Sequence, residues 1–220
     1  MIKWVFLDIG WTLVDETAAH RRRWEAAKEI LGLDRSTDEL MRLLEEASAA
    51  FAGSPFRYAL QQLGLSAEQQ QDIVQEARFD YTHAALYPGV CDALAELGRK
   101  YRLGVIANQS RGTEDRLKRW NIRHMMSLVL GSAEVGVEKP DLRIFEMALA
   151  QAGCRADEAV MVGDRLENDI APATRLGWRT IWVRQGIARF QVPRESAEEP
   201  DCTVETLAEL PAAVESLARK

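Results

Sequence analysis

Four residues in this chain have types and placements suited to chemistry: Asp8 in "FLDIGWTLVDE", Lys139 in "EKPD", and Asp164 and Asp169 in "VGDRLENDI". Each stands at or just beyond a short apolar run of strand character. In open parallel sheets, ligands bind outside the carboxyl ends of the strands, near the reversal in strand order. The same rule collects Thr12 after the first run, and Asn108 and Ser110 after "LGVIA". Acids and a lysine converging at a sheet mouth suit a divalent cation and a phosphate. Hard carboxylate oxygens favour Mg²⁺, which keeps several waters and takes one or two carboxylates together with substrate oxygens. Lys139 then supplies a point charge to the phosphoryl oxygens. Without a cation, Asp8 and Asp164 side by side would raise one another's pKa. Taken singly, such an acid reads as a turn residue and such a lysine as a solvated loop residue. Their order and strand-end placement together favour a site.

The elements that must position these residues follow from the apolar pattern. "IKWVFLD" is β-branched and aromatic and too brief for a helix, so it reads as a buried strand delivering Asp8 to its end. From Thr17 to about His83 the spacing turns helical, with Leu40, Leu43, Leu44, Ala47 and Phe51 on one stripe. Ser36 with Glu39, and Ser66 with Gln69, have capping-box spacing. After "YPGV" helices alternate with the strands "RLGVIA", "SLVLGS", "AVMVGD" and "RTIWV"; a short strand near "DCTV" and a helix from Glu205 close the chain. Such alternation requires a parallel sheet with crossover helices. The expected fold is α/β, a doubly wound, Rossmann-like parallel sheet interrupted after its first strand by an all-helical insert. The expected division is 1–14 and 84–220 for the core and 15–83 for the insert. "QVPRESAEEPD" reads as surface loop.

Composition narrows the classes. The chain has 220 residues, 47% of them hydrophobic, enough to bury a substantial core. Its net charge of −6 is spread rather than blocked, which argues against a nucleic-acid surface. "HRRRW" is the densest basic cluster, and its arginines are expected to fan outward into solvent. Cys91, Cys154 and Cys202 are scattered without CxxC spacing, so neither a disulfide framework nor a zinc site is indicated. With no basic leader and no long apolar run, the expectation is a soluble cytoplasmic protein, monomer or homodimer, with no membrane partner.

Along essentially its whole length the chain resembles haloacid dehalogenase-like (HAD) hydrolases that carry a helical cap after the first strand. The matching pieces are "FLDIGWTL", "GVIAN", "EKPD" and "VGDRLENDI", the last being the most specific. The resemblance implies that Asp8 is a nucleophile that becomes an aspartyl-phosphate, with Lys139 steadying it and the phosphoryl group. Asp164 would bind Mg²⁺, and Asp169 would support the metal site. The residue at Gly10 would bind Mg²⁺ through its backbone carbonyl. A cap of this kind opens and closes over the site and selects the substrate.

Three positions depart from the family pattern. The phosphatase pattern has a second Asp where Gly10 stands, and that Asp protonates the leaving oxygen and then activates water. Trp11 replaces a usual glycine, either walling a pocket or packing structurally. Ala107 replaces the usual hydroxyl residue of the second motif, leaving Asn108 and Ser110 as weaker phosphate donors beside Thr12. Replacement proton-transfer groups are sought in Asp15, Glu16, His20 and Arg21, His20 titrating nearest neutrality. The favoured reading is a Mg²⁺-dependent phosphatase acting on a small phosphorylated metabolite. A phosphate-binding or regulatory protein on the same scaffold, and a dehalogenase-type enzyme attacking carbon, are the other readings.

Overall fold

The computed structural model describes residues 1–219. Six parallel strands form one sheet: β1 (Trp4–Leu7), β2 (Arg102–Ala107), β3 (Leu128–Gly131), β4 (Ala159–Gly163), β5 (Arg179–Val183) and β6 (Cys202–Val204). Their spatial order is β3-β2-β1-β4-β5-β6. The order reverses between β1 and β4, so the crevice at the carboxyl ends of these two strands is the topological switch point. Asp8 follows β1 and Asp164 follows β4 directly.

Strands covered on both faces must be apolar throughout, and β1 (WVFL) and β4 (AVMVG) are buried at every residue. Phe6 faces Gly104 in the register of β1 with β2, and a Cβ on Gly104 would stand 2.6 Å from the Phe6 ring. One side of the sheet packs Trp4, Phe6, Ile106 and Met161 against Ile144, Phe145 and Ala148. Trp178 completes this layer, its ring centroid 5.1 Å from that of Phe6 and 5.7 Å from that of Phe145. Each of the Phe, Ile and Met side chains contributes about 1.5–3 kcal/mol by its burial.

The chain divides into two compact units, one of Met1–Val14, Leu86–Gln185 and Pro193–Lys220, the other of Asp15–Ala85 with Gly186–Val192. The second unit holds α1 (Thr17–Leu31), α2 (Thr37–Ala49), α3 (Pro55–Gln62) and α4 (Ala67–Glu76). Both expected capping boxes are present, at Ser36 with Glu39 and Ser66 with Gln69. Segment 186–192, remote in sequence, belongs with these helices: Gln191 Nε2 donates to the Ser48 carbonyl at 2.9 Å, and Arg189 pairs with Glu45 at 2.6 Å. Phe51 falls beyond α2 in the left-handed region, φ 59°.

The arginine cluster does not simply fan outward. Arg21 pairs with Asp38 and Arg22 faces Glu25, but the Arg23 guanidinium lies 3.5 Å from the Phe56 ring centroid and donates to the Ala77 carbonyl at 2.8 Å. Burial, with Arg57 nearby, lowers Arg23 to about 10.

In the first unit the sheet is flanked by α5 (Val90–Leu97), α6 (Thr113–Arg119), α7 (Ser132–Val135), α8 (Leu142–Ala152), α9 (Ala171–Arg175) and α10 (Leu210–Ala218). The last helix starts later than Glu205 because a tight turn at Leu207–Glu209, capped by Thr206, precedes it. A π-helical turn, Leu166–Ile170, precedes α9. Among the described residues no helix is long and apolar enough to cross a membrane.

Candidate active site

The strand ends bring Asp8, Lys139, Asp164 and Asp169 together. Lys139 Nζ donates to Asp8 Oδ1 at 2.6 Å and to Asp169 Oδ1 at 2.5 Å. All four side chains are buried, Lys139 being 3% exposed and Asp8 8%. Asp8, Asp164 and Asp169 each present one carboxylate oxygen within 4.8 Å of the others.

Asp8 is held by β1, its own N–H donating to the Val162 carbonyl at 2.9 Å. Asp169 sits on the π-helical turn, where its Oδ2 accepts from the Arg165 N–H at 3.0 Å. Space for its carboxylate exists because residue 163 is glycine: a Cβ there would stand 2.3 Å from Asp169 Cγ. Asp164 is held from two directions, since Thr12 Oγ1 donates to its Oδ1 at 3.2 Å and Trp182 Nε1 to its main-chain carbonyl at 2.6 Å. Its other oxygen, Oδ2, is buried without a hydrogen-bond partner.

The expected phosphate donors are placed differently from one another. Thr12 is fully buried and its hydroxyl faces Asp164. The Asn108 side chain closes a two-point clamp on the Lys139 main chain, Nδ2 donating to the Lys139 carbonyl at 2.7 Å and Oδ1 accepting the Lys139 N–H at 2.8 Å. Both amide functions are thereby engaged in orienting the lysine. Ser110 is exposed, and its carbonyl accepts from the Arg116 guanidinium. His20 is not a surface histidine: its side chain is 11% exposed, its ring 4.8 Å from that of Phe79, its Nε2 3.7 Å from Glu16. Asp15 accepts from the Thr17 N–H at 2.8 Å.

The nucleophile loop carries the two unusual residues. Trp11 is buried, at 7% exposure, and has φ 57°, the left-handed region where glycine is preferred. This conformation costs an L-residue about 1–2 kcal/mol, which explains why glycine suits the position and shows that tertiary contacts hold Trp11 there. Gly10 is outside the left-handed region, so its glycine is not demanded by the backbone. Gly10 itself brings no second carboxylate to the loop.

Burial raises the Asp8 carboxyl to about 6, against the pull of the Lys139 ammonium and with Asp169 adding to the rise. Asp164 is pushed well above the ordinary carboxylate range by burial and by Asp169 and Asp8. Burial works to lower Lys139, but Asp169 and Asp8 together hold it above its ordinary value. The site thus gathers three carboxylates around the Lys139 ammonium, and the buried Asp164 Oδ2, with no hydrogen-bond partner among the described residues, is an oxygen that a bound cation would satisfy. The carboxylate oxygens of Asp8 and Asp164 are hard donors that fit a divalent ion. Both Asp169 oxygens are already engaged by Lys139 and Arg165.

Sequence reasoning did not single out Gly163, Trp182 or Gln185, whose side-chain amide donates to the Trp11 and Thr12 carbonyls. Their partners are set by the fold. "VGD" at 162–164 was the one local signal, for Gly163.

A doubly wound sheet with carboxylates and a lysine at its switch point defines an α/β enzyme with a strand-end aspartate site. The model of the haloacid dehalogenase-like hydrolases matches residues 8–183, and the chain belongs to that family. It is 32% identical over 232 aligned positions to a glyceraldehyde 3-phosphate phosphatase of Methanopyrus kandleri, covering 100% of both chains. It is 34% identical over 171 positions to a phosphoserine phosphatase of Thermus thermophilus, covering 75% of this chain and 67% of that one. Its fold matches a haloacid dehalogenase-like family hydrolase from Streptococcus pneumoniae with a TM-score of 0.74 and 23% identity, covering 97% of this chain and 98% of the other.

Proposed function

We propose that this hydrolase is a Mg²⁺-dependent phosphatase that moves the phosphoryl group of a small phosphorylated metabolite onto Asp8 and then onto water. The observation that carries the reading is the buried Lys139 ammonium bridging Asp8 and Asp169 beside the unpartnered Asp164 Oδ2. An Asp8 oxygen attacks phosphorus and the bond to the leaving oxygen breaks. Water then attacks the acyl phosphate, releasing inorganic phosphate and regenerating the carboxylate. Lys139 keeps Asp8 oriented and faces the charge on the phosphoryl oxygens. Asp8, Asp164 and the Gly10 carbonyl would hold Mg²⁺, which when bound neutralises the carboxylates and polarises the phosphoryl group. Asp169 supports the site by fixing Lys139, and Asn108 does so from the lysine's main chain. Residues 15–85 with 186–192 form the cap that selects the substrate.

Gly10 moves no proton. General acid–base help is worth roughly 10²- to 10⁴-fold, about 3–5 kcal/mol. The chain is therefore best suited to groups that leave as weak bases, such as acyl phosphates and phenyl phosphates. Glyceraldehyde 3-phosphate and phosphoserine, named for the relatives, are small phosphorylated metabolites with alkoxide leaving groups. A substrate of that kind would need a proton donor other than residue 10. Carbon attack, which needs no metal, leaves the carboxylate group at Asp164 without a purpose.

The test is hydrolysis of p-nitrophenyl phosphate and of acetyl phosphate, with Mg²⁺ and with chelator, in the wild type and in Asp8→Asn. Turnover that needs both the metal and Asp8 is the expected result. Turnover that survives chelation would count against the Mg²⁺-dependent reading, and no turnover of either compound points to a phosphate-binding protein.

A further inference from the structure

The loop that carries Asp8 and Gly10 closes on itself through main-chain bonds. Leu13 and Val14 N–H both donate to the Ile9 carbonyl at 2.9 Å, and Trp11 N–H donates to the Val14 carbonyl at 2.8 Å. These bonds do not use the carbonyls of Trp11 and Thr12. Both are taken by one side chain from far along the chain: Gln185 Nε2 donates to the Trp11 carbonyl at 2.9 Å and to the Thr12 carbonyl at 2.8 Å.

Gln185 is presented from a firm base. Its N–H closes a tight turn onto the Val183 carbonyl at 2.9 Å, and Arg184 N–H continues the pairing of β5 with β6 through the Val204 carbonyl at 2.9 Å. The loop itself lacks a comparable local preference, because Trp11 sits at φ 57°. Thr12, whose carbonyl Gln185 holds, also donates its hydroxyl to Asp164 Oδ1. Trp182, three residues before Gln185, holds the Asp164 carbonyl. The end of β5 thus grips two of the loops that make the site, through Gln185 on one and Trp182 on the other.

We infer that Gln185 is a positioning residue whose side-chain amide latches the Trp11 and Thr12 carbonyls and so fixes the loop carrying Asp8 and the Gly10 carbonyl. This rests on the reading of Asp8 as nucleophile. The latch sets where the nucleophile stands relative to Lys139 and Asp164, and a displacement of about 1 Å at a reacting group costs on the order of 100-fold in rate.

Gln185→Met keeps the length of the side chain and removes both donated bonds. Gln185→Glu keeps the shape but turns an acceptor toward two acceptors. The half-buried position makes both variants compatible with folding, which the melting temperature checks. Amide hydrogen exchange at Trp11, Leu13 and Val14 is compared with exchange in β1 and β4, and kcat, KM and the half-saturating Mg²⁺ concentration are measured on p-nitrophenyl phosphate. The expected result is faster exchange confined to the loop, kcat lower by roughly 10- to 100-fold, KM within about threefold, and a higher Mg²⁺ requirement, with the Glu variant worse than the Met variant. Wild-type loop exchange with wild-type kcat would overturn the inference, as would exchange accelerated equally throughout the sheet. The exchange readout does not depend on catalysis, so Asp8→Asn separates the two failures. If Asp8→Asn retains turnover, the proposed mechanism fails. If Asp8→Asn is inactive while Gln185→Met keeps wild-type exchange and kcat, only the latch fails.

Discussion

Gly163 ends β4 directly behind the site, and Gly163→Ala tests how tightly the carboxylates are placed. The added Cβ would stand 2.3 Å from Asp169 Cγ and 2.4 Å from its Cβ and Oδ2. Carbon atoms in contact prefer about 3.5–4.0 Å, so Asp169 must retreat by more than about 1 Å. It cannot do so and keep both Lys139 Nζ at 2.5 Å and the Arg165 N–H at 3.0 Å. Forcing atoms into a packed site costs about 1–3 kcal/mol, and a misplacement of this size at the lysine costs on the order of 100-fold in rate. The expected outcome is a lowered melting temperature and a kcat reduced about 100-fold on p-nitrophenyl phosphate, with KM little changed. Gly53→Ala, where an added Cβ meets nothing within 4 Å, is the control and keeps wild-type kcat. Wild-type kcat and ordinary melting for Gly163→Ala would refute the reasoning, because Asp169 would then not be held where catalysis needs it.

Further outcomes follow from the same geometry. Asn108→Ala frees the Lys139 main chain and is expected to lower kcat by roughly 10- to 100-fold; unchanged kcat would mean the clamp at 2.7 and 2.8 Å does not orient the lysine. Asp8 acts ionised, so kcat/KM at subsaturating Mg²⁺ should rise with pH through about 6, and the midpoint should fall as Mg²⁺ is added. The stability term has the opposite sign. The folded chain binds the Asp8 proton more tightly than the unfolded chain, so stability is lost as pH rises from 3.8 to about 6. An acid limb near the ordinary value of 3.8 at low Mg²⁺ would contradict this. Gly10→Asp supplies the proton-transfer group at a position outside the left-handed region, and should raise turnover of an alkyl phosphate by up to roughly 10²- to 10⁴-fold, more than that of p-nitrophenyl phosphate. Equal effects on both substrates would show that the loop acid is not what limits this enzyme.

The parts of the fold visible in the sequence are those written in local pattern. β1 and β4 are continuous apolar runs because both faces are covered, and each run stops at the acid it delivers, Asp8 or Asp164. Lys139 and Asp169 join them because parallel strands all end at the same edge of the sheet. What local pattern could not disclose is pairing across the fold. Gln185 meets Trp11 and Thr12 across more than 170 positions, and nothing about a glutamine after "WVR" announces it. Gly163 reads as the middle of a motif, whereas its role is to leave room for Asp169. Asn108 has the right type and place for a phosphate donor, but its amide fits the lysine's own main chain. Segment 186–192 falls within the expected core span of 84–220, because its ties to α2, through Gln191 and Arg189, are side-chain bonds without periodicity.

The central claim is that the phosphoryl group passes through Asp8. Its most direct test is an acid quench during turnover of acetyl phosphate labelled in its phosphoryl group, followed by peptide mapping of the protein. The account requires label on the peptide containing Asp8, dependent on Mg²⁺ and absent from Asp8→Asn. Label on another residue, or none at that peptide at any quench time while phosphate is released, would contradict it.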